Sequence, residues 1–408
     1  MNFVCNMTTA SKLLTIALLF GLGLVGFGYT YPGINSFGDP VRGFNARSLG
    51  MGSVGIAGVN DPSALFSNPA QLSSLSERQL SVSLGLVPLS EEIISYGVSS
   101  PRFYNEPVWL AANQISIGLP QTENLVMAFG VAPRFDLRYS RMKDIYIAGK
   151  YQEQENIISD GQIFGLNYGL AWQSGWLTVG GALEYLWGGQ NYLWEYLDYY
   201  YGTRRYYQAR ANLRGMDGRL GIDVKLGKKT ALNFVYNSPA DITDNWDILN
   251  ATTAGVSPTT DSGQYQFKFP ASYGLGLVYR VEEPATEIVA EILKSEWSQV
   301  KRQVYNSQTG SYEPADISLK DVVEIHFGVE HYLSENLPLR YGFYLLPYEG
   351  DDRFQFLTFT AGLGLVLGRN AQLDFGLEFG RRNFVDETNK TYNYEMLYKY
   401  LATMRVKI

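Results

Sequence analysis

From about residue 79 to the C-terminus, apolar and polar side chains alternate with a period of two, the spacing of side chains that point to opposite faces of a strand. Leu373, Phe375, Leu377 and Phe379 interleave with Gln372, Asp374, Gly376 and Glu378, and Val323, Ile325, Phe327 and Val329 interleave with Glu324, His326, Gly328 and Glu330. The pattern predicts about fourteen strands. They fall near 79 to 89, 112 to 120, 124 to 140, 160 to 173, 176 to 194, 206 to 227, 229 to 238, 264 to 280, 285 to 299, 318 to 332, 338 to 348, 354 to 367, 371 to 382 and 395 to 408. Their connections alternate in kind. Tight ones lie at Pro120 to Asn124, Gln173 to Gly175, Gly227 to Lys229, Val281 to Pro284, Ser334 to Leu337 and Gly368 to Asn370, with mostly longer ones between. An even count with all short turns at one end is what transmembrane barrels have, and a soluble sandwich or propeller has no reason to sort its loops so. Unpaired backbone costs several kcal/mol per group in lipid, so such a sheet must close on itself.

Composition agrees and excludes alternatives. The 42 Gly and 30 Tyr of 408 residues suit small lumen residues and interfacial aromatics. A net charge of −7 without a basic stripe argues against nucleic acid as a partner. Lys12 followed by the apolar run Leu13 to Gly28 reads as an export signal cleaved near Gly28, with Cys5, the only cysteine, ahead of it. The mature chain then carries no disulfide and no acylated cysteine. The expected organisation is a signal peptide over 1–28, a small, Gly-rich plug over 29–77 and a barrel over 78–408.

The plug stretch carries a resemblance. Ala46, Arg47, Gly50, Gly52, Gly55, Ala57, Asp61 and Ala64, followed by Asn68, Pro69 and Ala70, match the N-terminal hatch pattern of the FadL-type outer-membrane transporters of hydrophobic compounds. Phe234 to Thr243 is similar to that family's Tyr-Arg-Ser-Pro stretch, with Asn237 in place of Arg, and Phe269 to Arg280 resembles its Pro-Ala-Ser strand. Related PorV-like proteins of surface secretion share the opening pattern and a strand of the type seen at Leu337 to Phe343. The resemblance implies an all-β, fourteen-stranded antiparallel transmembrane barrel with a hatch in its lumen, located in the bacterial outer membrane and inserted by the barrel-assembly machinery among outer-membrane lipids. It implies passive uptake of hydrophobic small molecules such as long-chain fatty acids, leaving sideways through a gap in the wall. The alternative is a non-transporting PorV-like scaffold.

No catalytic constellation stands out. The two histidines, His326 and His331, are expected on opposite faces of one strand, and neither a metal site, a cofactor nor enzymatic activity is expected. Lumen-facing charges of mixed sign, among them Glu184, Asp223, Lys225, Glu291, Glu324, Glu330, Arg340, Asp374, Glu378, Lys399 and Arg405, are expected to pair and stiffen the interior. Three groups are candidate sites. Asn68, Pro69 and Ala70 are expected inside the barrel near the third strand, with Asn68 bonded to backbone that strand leaves unpaired. Pro133 gives the ladder no amide, so pairing is expected to be disrupted around Gly130 to Phe135, where the resemblance implies a lateral opening marked by Gly130 and Pro133; the alternative is that Pro133 merely ends the membrane-embedded part of the strand. Tyr192, Trp194, Tyr196, Tyr199 and Tyr200, read as an external loop, either anchor the rim or form a groove that captures an apolar ligand.

Overall fold

A computed structural model describes residues 37–95, 103–106, 108–147, 150–252, 256–306, 308–315, 318–386 and 391–408; the export signal lies outside the described residues. The wall is a closed barrel of fourteen antiparallel strands. In chain order they are β1 (Gln79–Ser95), β2 (Val108–Thr122), β3 (Leu125–Asp136), β4 (Gln162–Ser174), β5 (Leu177–Asp198), β6 (Thr203–Lys225), β7 (Thr230–Asn237), β8 (Ser272–Val281), β9 (Thr286–Ser295), β10 (Val322–Ser334), β11 (Leu337–Tyr348), β12 (Asp351–Leu367), β13 (Ala371–Asp386) and β14 (Thr391–Lys407). Each pairs with its sequence neighbour, and β14 closes on β1 from Gln79↔Lys407 to Ser95↔Thr391. The connections β2–β3, β4–β5, β6–β7, β8–β9, β10–β11 and β12–β13 are the short ones, and all lie at the end where both termini of the wall meet.

Burial is inverted relative to a water-soluble sheet. Leu183 is 60% exposed while the next residue, Glu184, is 1% exposed, and Phe375 and Asp374 stand at 44% and 0%. The apolar face therefore points out and the charged face points in. So large an apolar surface is not left in water, so its solvent is lipid. The aromatics sort accordingly: Trp172 and Trp176 lie toward the short-turn end, and Phe164, Tyr185 and Trp187 pack together toward the other, with Phe164 and Tyr185 at 5.8 and 6.2 Å from Trp187.

Two sequence expectations change. The run 264 to 280 is not one strand: Val256–Phe269 and β8 are separated at Pro270 and Ala271, where proline has no amide to continue the ladder. The long connections also carry structure of their own. Beyond the lipid-facing belt, β5 and β6 continue as a tall ladder from Ala211↔Gln190 to Thr203↔Asp198. Tyr139–Ile147 and Lys150–Asp160 extend its β5 side. Ala240–Thr252, Val256–Phe269, Arg302–Asn306 and Ser311–Ala315 extend its β6 side.

Residues 41 to 75 pass through the lumen as three short capped turns. Asn45 caps the helix α1 (Ala46–Gly50), Asp61 caps the 3₁₀ turn Pro62–Phe66, and Asn68 caps the 3₁₀ turn Pro69–Ser74. In the last two, Pro sits at the first helical position, where a missing amide costs nothing. Wall glycines let this segment lie flat. A Cβ at Gly328 would stand 2.2 Å from the carbonyl oxygen of Met51, and one at Gly342 would stand 2.5 Å from the amide of Gly52.

Candidate functional site

Most of the lumen-facing charges find partners, many of them from the inner segment, although Asp223, Lys225 and Glu378 make no ion pair among the described residues. Arg340 bridges Glu330 at 2.5 Å and Asp374 at 2.7 Å, and Arg405 joins Asp374 at 2.8 Å. From the inner segment, Arg47 reaches Glu330 at 2.8 Å and Glu287 at 3.0 Å, while Arg42 reaches Glu324 at 2.6 Å. Burial by itself lowers the pKa of Arg47, but the carboxylates of Glu330 and Glu287 outweigh it and hold the guanidinium above its ordinary value. Glu291 accepts the amides of Gly55 and Ala57, Thr403 accepts the amide of Ala46, and Lys399 donates to the carbonyl of Arg42 at 2.9 Å. His326 lies on the lumen face as expected, hydrogen-bonded to the carbonyl of Gly52 at 2.7 Å and stacked on Tyr344. On the β9 to β14 side, the inner segment is thus bound by charge and hydrogen bonds.

On the opposite side the wall itself is interrupted. Pairing between β2 and β3 runs from Thr122↔Leu125 to Ile115↔Val131 and stops there. Val108 to Ala112 and Gln114 of β2 pair only with β1, and a register shift leaves Asn113 out of that ladder. On its other edge β3 stays paired to β4, with a register shift between Pro133 and Phe135. The free edge of β3 is occupied from inside: Asp39 and Pro40 pair with Asp136 and Phe135, and the amide of Val41 donates to the carbonyl of Arg134 at 3.0 Å. Two side chains satisfy groups around the break. Arg138, clamped by Asp136 at 2.6 Å, donates to the carbonyl of Leu110 at 3.2 Å, and Asn113 donates to the carbonyls of Gly43 and Phe44. Gly130 faces the ring of Phe66, so a Cβ there would stand 2.6 Å from Cζ. Gly130 and Pro133 therefore lie at the end of a truncated ladder.

A cavity of about 140 Å³ lies beside this break, bounded by the inner segment below and by wall strands around it. Its apolar lining includes Phe44, Phe66, Phe135, Phe269 and Trp297, and its polar lining includes Arg42, Arg134, Asp217, Arg219, Glu324 and His326. Toward the long-connection end it meets an aromatic cluster in which Phe37 lies 5.1 Å from Phe267 and 5.3 Å from Trp297, and Phe135 stacks on Phe269 at 4.6 Å. Toward the break it meets the Phe44–Phe66 pair, 5.3 Å apart, within an apolar cluster that includes Val41, Leu65, Val126 and Ala132. The lining joins residues far apart in sequence, and sequence reasoning singled out none of the aromatics for it. Phe269 stood in a family-like motif, and the rest carried no signal of their own.

The structure separates the other candidates. Asn68, Pro69 and Ala70 are buried inside the barrel, with Ala70 and Asn68 set closely against β5 and β6, where a Cβ at Gly180 would meet Ala70 and one at Gly221 would meet Asn68; the turn they open also reaches β3, through Leu72 packed with Val126 and Ala128. Asn68 does not bond β3 backbone. Its Oδ1 accepts the amide of Ala70 at 3.1 Å and its Nδ2 donates to the carbonyl of Ile56 at 2.7 Å, because a 3₁₀ turn starting at Pro69 needs a side-chain acceptor at its first free amide. The tyrosine-rich stretch is not a loop but the upper ladder of β5 and β6. Tyr192 and Trp194 pack inward on the cluster of Val87, Leu89, Tyr139, Ile157, Phe356 and Leu397, and Trp194 stacks on Tyr196. Tyr199 and Tyr200 are exposed at the tip. The five residues do not form one groove.

No protein-family model and no curated protein sequence matches the chain. Solved structures do. The Ralstonia pickettii toluene transporter TbuX aligns with a TM-score of 0.62 at 16% identity, covering 90% of this chain and 99% of that one. A Pseudomonas aeruginosa FadL homologue aligns at 0.67 and 11% identity over 91% and 99%, and the P. putida toluene transporter TodX at 0.66 and 17% over 90% and 99%. The fold of this chain is that of the FadL-type transmembrane barrels.

Proposed function

We propose that this protein is an outer-membrane transporter that takes up hydrophobic small molecules passively and releases them sideways through its wall. The observation that carries this reading is the coincidence of two features: an aromatic-lined cavity, and a β2–β3 ladder that ends at Val131 beside it. An apolar molecule gains by leaving water for such a lining and would be held back by an open aqueous pore. The fold neighbours described as toluene transporters or monoaromatic hydrocarbon channels support the same class of cargo. Residues 29–77 are proposed as the hatch, and 1–28 as the export signal that precedes insertion by the barrel-assembly machinery. The cargo is proposed to be a hydrocarbon or a long-chain fatty acid. The mixed lining, with Arg134 and Arg219 at one side, suits a molecule with a polar head as well as a wholly apolar one.

The test is uptake of labelled toluene and of labelled fatty acid by liposomes holding the purified full-length protein. Faster entry than into empty liposomes is expected for at least one of them. Equal rates for both would sink the transport reading and leave the PorV-like scaffold, for which the tall ladder of β5 and β6 would supply the protein-binding surface.

A further inference from the structure

The outward face of β6 changes character along its length, and the change occurs at a calculable height. Leu226, Ile222, Leu220 and Met216 are outward-facing and exposed. The ten residues between Leu226 and Met216, at a rise of about 3.3 Å each and the usual tilt of roughly 40°, span about 25 Å, the height of a barrel's apolar band. The next outward residue is Arg214, whose register partner on β5 is Trp187 of the aromatic girdle. Arg214 therefore stands at headgroup level. Above it on the same face follow Asn212, Arg210 and Gln208, flanked by Asn191 of β5 and by Asn245 and Asp247 of the neighbouring strand. This face is mostly polar and rich in amides, with Arg214, Asn212 and Arg210 exposed and Gln208 half-buried between Leu193 and Leu249, and it is continuous with the surface that contacts lipid.

Neighbouring charges on this face are mostly neutralised within the protein. Arg204 pairs with Glu195 at 2.5 Å and Lys268 with Asp241 at 3.0 Å. Arg210 and Arg214 make no ion pair among the described residues, although Asp247 is the register partner of Arg210. They lie four residues apart on one strand, a separation of about 13 Å. That spacing fits a headgroup with more than one phosphate better than a single free anion.

We propose that the outward face of β5 and β6 just above the aromatic girdle binds the phosphorylated glycolipid of the outer leaflet, with Arg214 and Arg210 on its phosphates and the Asn and Gln side chains on its sugars. Guanidinium groups match phosphate oxygens in a bidentate fork, and amides match sugar hydroxyls. The proposal rests on the membrane placement above, not on any cargo, so failure of uptake leaves it standing.

The experiment measures retention of bisphosphorylated lipid A by the full-length protein in detergent, by native mass spectrometry, against an Arg210→Gln/Arg214→Gln double variant. Retention is expected to weaken at least about tenfold in the double variant. Lipid A stripped of its phosphates should bind the wild type as weakly as native lipid A binds the double variant. Arg204→Gln, which removes a cation already paired, should change retention less than twofold. Equal retention by the double variant, equal retention of the stripped lipid, or displacement of lipid A by millimolar inorganic phosphate would each overturn the proposal. The altered side chains are exposed, and an unchanged melting temperature of the double variant shows that a loss of binding is not a loss of fold.

Discussion

The inner segment meets the wall in two different ways, and the difference shows how one barrel can be rigid on one side and interruptible on the other. Against β9 to β14 it is held through buried charges: Arg47 and Arg42 on Glu330, Glu287 and Glu324, amides on Glu291, and wall glycines that bring backbone onto backbone. Against β2 and β3 it is held through groups that the wall's own ladder does not use, at the β3 edge and through Asn113 on β2. Both sides obey the same rule, that buried polar groups find partners. On the first side the partners are charges whose separation would leave an uncompensated ion in the lumen, which is costly. On the second they are a few hydrogen bonds, each of modest net worth.

The largest expected effect lies in the charged side. Arg340→Met leaves Glu330 and Asp374 short of a partner at the centre of the network and should lower unfolding stability by about 3–5 kcal/mol, measured by urea unfolding of the barrel in detergent micelles. A variant as stable as the wild type would remove the network from the account of rigidity. Gly328→Val comes next. Its side chain would enter the space of Met51 and should weaken seating of the inner segment by about 1–3 kcal/mol. The measurement is limited proteolysis between residues 41 and 60, which should accelerate several-fold while the wall keeps its heat resistance. Unaltered cleavage would mean that the glycine contact does not seat the segment.

The β2–β3 side should respond in transport rather than in stability. Asn113→Ala removes the donor to the carbonyls of Gly43 and Phe44, bonds worth about 1 kcal/mol each, and should speed ligand uptake a few-fold with little change in unfolding of the wall. Slower uptake would show instead that Asn113 guides the ligand. The smallest effect is expected from Pro133→Val, which returns an amide worth about 1 kcal/mol to β3. Uptake should slow by a factor of a few with assembly intact. No change would take the interruption of β3 out of the mechanism.

All the wall strands but the eighth, which the run 264 to 280 merged with its neighbour across Pro270, were legible in the sequence as runs of their own, because a wall that faces lipid on one side and charges on the other must alternate at every second residue, as at Leu373 to Phe379. The sorting of short turns to one end, the inward charges and the weak pairing at Pro133 follow from the same local rules. What only the tertiary structure decided were matters of contact between distant residues. Sequence placed Asn68 in the lumen but not against Gly221, since a capping amide can satisfy its own turn anywhere in the barrel. It did not bring Phe44, Phe135, Phe269 and Trp297 around one cavity, because aromatic residues on four separate segments have no common period. Nor did it show that Tyr192 and Tyr200, eight positions apart, part company, one packing inward and the other standing at a tip. Periodicity fixes which face a side chain takes; only closure of the barrel around the inner segment decides what that face meets.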